Sequence, residues 1–397
     1  MNVTITPKKL SGSIEAVSSK SDAHRKIICA ALSSEPTEIH IRGISKDIEA
    51  TLRCVKALGA SVEKRGGSIV VSRGTVPGRC RLLCGESGST ARFLLPVAAC
   101  LTDEFEMTGE GRLPKRPFTE LVREMRRNGC DVSGEFLPLS VSGKLSPGEY
   151  RLEGNISSQY FSGLMFALPN LPSDSKITLL TPLQSKAYVD MTADTLLLFG
   201  VKIEQTEYGF YIKGNQKLKS PKCIECDGDW SNAAFFLAMK ECGCDVTVSG
   251  ISEASKQGDK VFSQAAKLSE VDVSEIPDLV PPLAVAACGK CGKTVFKNAG
   301  RLRLKESDRL VSVSEMINSL GGHAEISGDS LIVNSSGGVS GGTVNSYSDH
   351  RIVMAAAAAS VISDGKITIL GAEAADKSYP SFFDDFKAIG GELDVEY

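Results

Sequence analysis

The stretch Lys305-Glu306-Ser307-Asp308-Arg309 sets two cations, two carboxylates and a hydroxyl in five residues, just ahead of the apolar periodicity Leu310, Val313, Ile317 and Leu320 that ends at Gly321-Gly322. The spacing predicts a helix capped by Ser307 or Asp308, so the charged cluster lies at the positive end of a helix dipole, where anions are stabilised. Taken alone, Glu306 with Arg309 is an i, i+3 pair on a solvated helix end, worth about 0.2–0.5 kcal/mol. The chemical weight comes from similar clusters elsewhere: Lys20 with Arg25, Arg92, Arg112 with Arg116, Lys186, Arg351 and Lys377. Arginine grips phosphate or carboxylate with two prongs and lysine acts as a point charge, so such a set asks for substrates with several anionic groups. Asp278 and Glu306, standing among cations, form a candidate acid and base pair. Neighbouring cations lower a carboxylate's pKa, so a proton-donating Glu306 requires desolvation or a proton passed from a neighbour. The loop Gly85-Glu86-Ser87-Gly88-Ser89 offers backbone N–H groups to a phosphate but lacks the Gly-Lys-Ser/Thr ending of a nucleotide loop, which points to phosphate without nucleotide.

A repeating unit positions these residues. A polar cluster, a short apolar helix and a β-like run recur six times, beginning at Lys20-Ser21, Glu86 to Ser89, Ser157-Ser158-Gln159, Asp229 to Asn232, Pro277-Asp278 and Ser348 to Arg351. A second helix closes most copies with an apolar-Gly signature, at Gly59, Gly129, Gly200, Gly321 and Gly390, at intervals of 70, 71, 121 and 69 residues. The long interval conceals one degenerate copy near Ala266 to Ser269, before a strand at Val271 to Val273. The chain therefore reads as six α/β units of roughly 65 to 70 residues, three per domain, with a crossover near Asp227-Gly228. Helix N-termini aimed at one cleft between the domains would make an anion trap. Helix capping alone accounts for the Ser, Asp and Asn residues of the clusters but not for the cations beside them.

Composition bounds the partners. With 397 residues two domains are expected, and a net charge of −3 with 6% aromatics gives no case for nucleic acid or an anionic membrane surface. The N-terminus alternates like a strand and does not resemble a signal peptide, and no apolar run approaches the ~20 residues of a membrane span, so a cytoplasmic protein is expected. The 12 cysteines are scattered, as small buried hydrophobes in a reducing compartment are. Cys223/Cys226 and Cys288/Cys291 have CxxC spacing and could be drawn as a zinc site, but Cys288 ends an apolar run and Cys291 sits in the turn after it, which suits incidental placement equally well.

In order along the chain, Ser19-Lys20-Ser21 with Arg25, Gly85 to Arg92, Gly109 to Pro117, Ser157-Ser158-Gln159, Ser185-Lys186 with Tyr188 and Asp190, Ile276-Pro277-Asp278, Leu304 to Arg309, Asp349-His350-Arg351 and Lys377 to Pro380 resemble the EPSP synthases, the 3-phosphoshikimate 1-carboxyvinyltransferases, from residue 3 to about 390. The resemblance implies a two-domain enolpyruvyl transferase fold, each domain made of three βαβαββ units about a pseudo-threefold axis. Residues 1–10 and 228–397 would form the C-terminal domain and 11–227 the N-terminal one, with the active site in the cleft. It implies transfer of the enolpyruvyl group of phosphoenolpyruvate to the 5-hydroxyl of shikimate 3-phosphate, without metal or organic cofactor, by a monomer acting on small anionic substrates. Lys20, Ser21, Arg25, Ser157, Ser158, Gln159, Ser185, Asp278 and Lys305 would hold shikimate 3-phosphate. Lys20, Gly88, Arg116, Gln159, Arg309, Arg351 and Lys377 would hold phosphoenolpyruvate. Asp278 would be the base on the 5-hydroxyl, Glu306 would protonate the methylene carbon, and Lys20 would support both steps.

The sequence departs from the family pattern in places. Glu86 stands where many members have Asn, Ser89 where Thr is common, and Arg301 where some members have an Asn that contacts the shikimate. Gly88 lacks the methyl that crowds out glyphosate in Ala-bearing relatives. Two rival readings are a sister transferase acting on UDP-N-acetylglucosamine and a catalytically silent anion-binding protein. The first would place a Cys in the loop from Gly109 to Arg116, which has none; the second has no use for Asp278 and Glu306.

Overall fold

The computed structural model describes residues 1–396, which form two compact units: Met1–Val17 together with the chain from Asp227 on, and Ser18–Cys226. Among the described residues there are five four-stranded sheets and one two-stranded sheet.

In the unit Ser18–Cys226 the plainest copy runs Arg79–Leu83, helix Gly88–Leu101, Glu104–Thr108, helix Thr119–Arg127, Asp131–Val132 and Leu139–Ser142. Its first two strands pair in parallel and the last two form an antiparallel hairpin docked by Leu139–Ser142 against Glu104–Thr108. The copy from Glu149–Glu153 to Gly209–Ile212 repeats this order, as does the one from Glu270–Asp272 to Ser330–Ser336 in the other unit. A parallel pair needs a crossover, and in each case the crossover is the buried first helix.

Near the chain's two passages between units, strands pair with partners far away in sequence. Cys223–Glu225 takes the first-strand place beside Thr37–His40, in parallel register from Cys223↔Glu38 to Glu225↔His40. Ser11–Glu15 does the same beside Asp245–Ser249, and Asn2–Thr6 fills the last-strand place between Ile367–Leu370 and Glu392–Glu396. Its alternation is the reason: Val3 and Ile5 are fully buried between those neighbours, each worth about 1.5–3 kcal/mol. The boundary therefore differs from the expected one. Residues 11–17 lie with the C-terminal part of the chain, because Ser11–Glu15 pairs with Asp245–Ser249 instead of turning into the first repeat.

The five apolar-Gly signatures all fall at helix ends where the glycine has φ between +78° and +99°, the left-handed conformation that ends a helix at low cost only for glycine. The degenerate copy is reduced to the four-residue helix Phe262–Ala265, and its sheet has two strands. Cys226 and Cys288 are buried whereas Cys223 and Cys291 are exposed, so neither CxxC pair presents two thiols to one ion; Cys291 also begins a strand, Cys291–Lys297, and does not sit in a turn. No helix among the described residues is long and apolar enough to cross a membrane.

Candidate active site

In the unit built from Met1–Val17 and the chain from Asp227 on, helix Arg309–Ser319 begins as the sequence predicts, with Asp308 accepting the Val311 N–H at 3.3 Å. That start buries Arg309, which is 1% exposed. Its Nη1 donates to Asp278 Oδ1 at 2.6 Å, its Nη2 to Glu306 Oε2, and its Nε and Nη2 to the two oxygens of Asp349 at 2.8 and 3.3 Å. Those bonds use four of the five guanidinium hydrogens. The carboxylates lift the Arg309 pKa above its ordinary value despite burial that lowers it.

Asp278 sits on the helical turn Pro277–Leu279 ahead of helix Val280–Cys288. Lys305 Nζ lies 3.0 Å from its Oδ1, Arg351 Nη2 lies 3.7 Å from its Oδ2, and Arg351 Nη1 donates to its backbone carbonyl at 3.0 Å. Burial alone would push the Asp278 pKa up, but Lys305, Arg351 and Arg309 together hold it well below the usual carboxylate range. Asp278 is therefore ionised at neutral pH. Burial lowers Lys305, with Asp278 opposing the shift.

Asp349, fully buried, holds this group together. It caps helix His350–Ala359 through the Arg351 N–H at 3.0 Å, accepts the Ser307 hydroxyl at 2.9 Å and binds Arg309. Burial opposes its ionisation, but Arg309 and His350 outweigh that and lower its pKa. Lys377 Nζ donates to the Ser348 carbonyl at 2.6 Å, three residues before Arg351. Arg301 donates to the Ser274 carbonyl at 3.5 Å.

In the unit Ser18–Cys226 the helix starts again carry the expected residues. Lys20 opens helix Lys20–Leu32 under the Ser19 cap, and its Nζ lies 2.8 Å from Asp47 Oδ2. Arg25, 2% exposed, donates to Thr192 Oγ1 at 2.8 Å, to the Tyr188 carbonyl at 2.7 Å and to the Ser21 carbonyl at 2.6 Å, and stacks 5.0 Å from the centre of the Phe93 ring. Burial lowers Arg25 to about 10, still far above neutrality, so it stays charged.

Gln159, one residue into helix Ser158–Ala167, accepts from Arg92 at 3.2 Å and donates to Ser89 Oγ at 2.9 Å, which ties the third cluster to the glycine-rich loop. Gly88 opens helix Gly88–Leu101, and a Cβ placed on it would lie 2.6 Å from Arg92 Nη1 and 2.9 Å from Arg116 Nη1. Two guanidinium groups thus face the helix start at Gly88. Ser157 and Ser158 stand at the start of their helix, and Ser185 has φ +54° at the mouth of helix Lys186–Leu198, where Lys186 pairs with Asp190 at 2.6 Å. Glu86 turns toward the following loop: a Cβ on Gly111 would meet its carboxylate at 2.1 Å.

The structure thus collects Asp278, Lys305, Glu306, Arg309, Arg351 and Lys377 in one unit, and Lys20, Ser21, Arg25, Gly88, Arg116, Ser157, Ser158, Gln159 and Ser185 in the other. Sequence reasoning missed three supports. Asp47 carries no signal beyond its place in the first turn after the Ser45 cap. His24, buried, bonds Thr51 at 2.6 Å, and Thr51 bonds Thr90 at the Ser87 cap. Asp349 stood in a recognised cluster, but its bond to a residue 40 positions away left no local trace.

A sequence profile described as EPSP synthase (3-phosphoshikimate 1-carboxyvinyltransferase) matches residues 5–386. The chain belongs to the EPSP synthase family. It is 41% identical to the 3-phosphoshikimate 1-carboxyvinyltransferase of Clostridium kluyveri, over 99% of this chain and 98% of that one, and 38% identical to that of Clostridioides difficile over the same shares. The solved structure of EPSP synthase from Acinetobacter baumannii has the same fold, with a TM-score of 0.82 at 24% identity, covering 99% of this chain and 100% of that one. Two-domain enolpyruvyl transferase architecture, expected from the motifs, is thereby established for this α/β chain.

Proposed function

We propose that Asp278 and Glu306, coupled through Arg309, are the base and the acid of the enolpyruvyl transfer that this family performs. The reaction joins the 5-hydroxyl oxygen of shikimate 3-phosphate to C2 of phosphoenolpyruvate, then expels phosphate to leave 5-enolpyruvylshikimate 3-phosphate. The observation that carries the assignment is one buried guanidinium bonded to both carboxylates, on the elements that also present Lys305 and Arg351.

In the addition step Asp278 takes the proton of the 5-hydroxyl as its oxygen attacks C2, and Glu306 gives a proton to the methylene carbon. In the elimination step the Glu306 carboxylate takes a proton back from the new methyl group, the C2–O bond to phosphate breaks, and the departing phosphate takes the proton that Asp278 holds. A carboxylate held this far down is a weak base while three cations face it. Substrate phosphate and carboxylate groups compete for the same cations, so binding them shifts charge away from Asp278 and raises its basicity toward what proton transfer needs.

Lys305 would release to the shikimate side together with Ser21, Arg25, Ser157, Ser158, Gln159 and Ser185. Gly88, Arg116, Gln159, Arg309, Arg351 and Lys377 would serve phosphoenolpyruvate. Lys20, oriented by Asp47, would lend positive charge where charge develops. The enzyme would work on small anions in the cytoplasm. Phosphate release from phosphoenolpyruvate, dependent on shikimate 3-phosphate and lost in Glu306→Gln and Asp278→Asn, tests the assignment.

A further inference from the structure

One cysteine of the paired spacings acquires unexpected company. On the parallel strands Thr37–His40 and Cys223–Glu225, Cys223 lies opposite Glu38 and Glu225 opposite His40. Residues two apart share a face of a strand, so these four side chains stand on one side of the sheet. Ile39, between Glu38 and His40, is fully buried on the other side, and Ile224 packs against the same core. The donor atoms of Glu38, His40 and Cys223 all lie within 4.8 Å of one another.

Thiolate, imidazole and carboxylate are the donor set of zinc, not of the oxygen-seeking magnesium or calcium ions. Around a tetrahedral zinc, donors at about 2.0–2.3 Å from the metal lie roughly 3.3–3.6 Å from one another. His40 and Cys223 are exposed, so small rotations at their ends close the difference. Glu38 is held from behind: Ser68 Oγ donates to its Oε1 at 2.7 Å, the kind of outer hydrogen bond that orients a ligating carboxylate. Two cations of the same sheet region are engaged elsewhere: Arg65 with Glu63 at 3.0 Å, and Lys222, next to Cys223 in the chain, with Glu35.

We propose that Glu38, His40 and Cys223 form a site for a divalent cation of the zinc class, with three protein ligands and a fourth position open to water. Cys223 is the first residue of the strand that ends this unit, and the chain passes into the other unit three residues later, after Cys226. A metal bound here ties that strand to Thr37–His40 by side chains where only three register positions join the backbones. The site shares no residue with those assigned to the reaction, so it serves stability and not turnover.

Titrating the reduced full-length protein with Co²⁺ tests this. One equivalent should produce a thiolate-to-cobalt charge-transfer band together with the visible bands of a tetrahedral ion, and Zn²⁺ should displace both. Cys223→Ser should abolish the thiolate band, His40→Gln should weaken Co²⁺ binding at least 10-fold, and Cys291→Ser, at the other exposed cysteine, should change nothing. Zn²⁺ should raise the unfolding midpoint of the native protein and not that of Cys223→Ser. Absence of a thiolate band in the native protein overturns the proposal, as does a band that survives Cys223→Ser, is indifferent to His40→Gln or is lost in Cys291→Ser.

Discussion

Asp278 Oδ1 and Arg309 Nη1 lie 2.6 Å apart, and the same guanidinium holds Glu306 through Nη2. The proposed base and acid are therefore not independent. Moving either carboxylate moves the charge that sets the other, so substitutions at the two should be strongly non-additive.

Asp349 is the support of that arrangement. Asp349→Ala removes two of the bonds to a buried guanidinium and one helix cap, and should cost about 3–5 kcal/mol in urea unfolding. Asp349→Asn keeps an acceptor and should cost less, yet it should still lower kcat because the Arg309 fork is no longer fixed. An Asp349→Ala protein as stable as the native one would remove Asp349 from this role.

Asp259 gives a pH dependence of opposite sign to that of ordinary carboxylates. It is 1% exposed and hydrogen-bonded by the Ser231 hydroxyl, and burial, helped by the Asp278 charge, raises its pKa to about 6. A raised carboxyl pKa favours the neutral form in the folded state. Its stabilising contribution is complete below the unfolded value of about 4 and declines as pH rises through about 6. The stability of the native protein relative to Asp259→Asn should therefore fall by on the order of 3 kcal/mol between those limits, since each pKa unit is worth about 1.4 kcal/mol. Urea unfolding of both proteins from pH 4 to 8 measures it, and a constant difference would refute it.

Gly88→Ala should act on phosphoenolpyruvate. The added methyl would meet Arg92 and Arg116 at 2.6 and 2.9 Å, so both guanidinium groups must withdraw. The KM for phosphoenolpyruvate should rise about 10-fold, equivalent to about 1.4 kcal/mol, while the affinity for shikimate 3-phosphate stays within twofold. Glyphosate inhibition should weaken as well. Initial-rate kinetics with each substrate varied in turn distinguishes this from a general loss of folding, which would lower kcat alone.

Lys20 is aimed by Asp47 at 2.8 Å. Asp47→Asn should leave unfolding nearly unchanged but lower kcat/KM on the order of 10- to 100-fold, because a misplaced cation no longer meets the developing charge. Unchanged kinetics would show that Lys20 finds its place without Asp47.

Much of the architecture was legible because it repeats. Polar residues before apolar runs gave the capped helices at Ser19, Ser87, Asp229 and Asp349, and the apolar-Gly signatures gave the helix ends. Local chemistry was legible where residues cluster in sequence, as at Lys305 to Arg309. What could not be read were contacts between distant positions with ordinary neighbours: Asp47 under Lys20, Asp349 under Arg309, Cys223 beside Glu38 and His40. The strand Ser11–Glu15 was misplaced for the same reason. Its sequence, Ser-Gly-Ser-Ile-Glu, buries only Ile14 and carries no mark of its partner Asp245–Ser249.

The account turns on Asp278 and Glu306, and the most direct measurement is phosphate release from phosphoenolpyruvate with shikimate 3-phosphate or UDP-N-acetylglucosamine as acceptor, in native protein, Asp278→Asn and Glu306→Gln. The prediction is release with shikimate 3-phosphate only, reduced about 10²- to 10⁴-fold in each variant while both substrates still bind. Release that persists at the native rate in either variant, or that requires the nucleotide sugar, would contradict it.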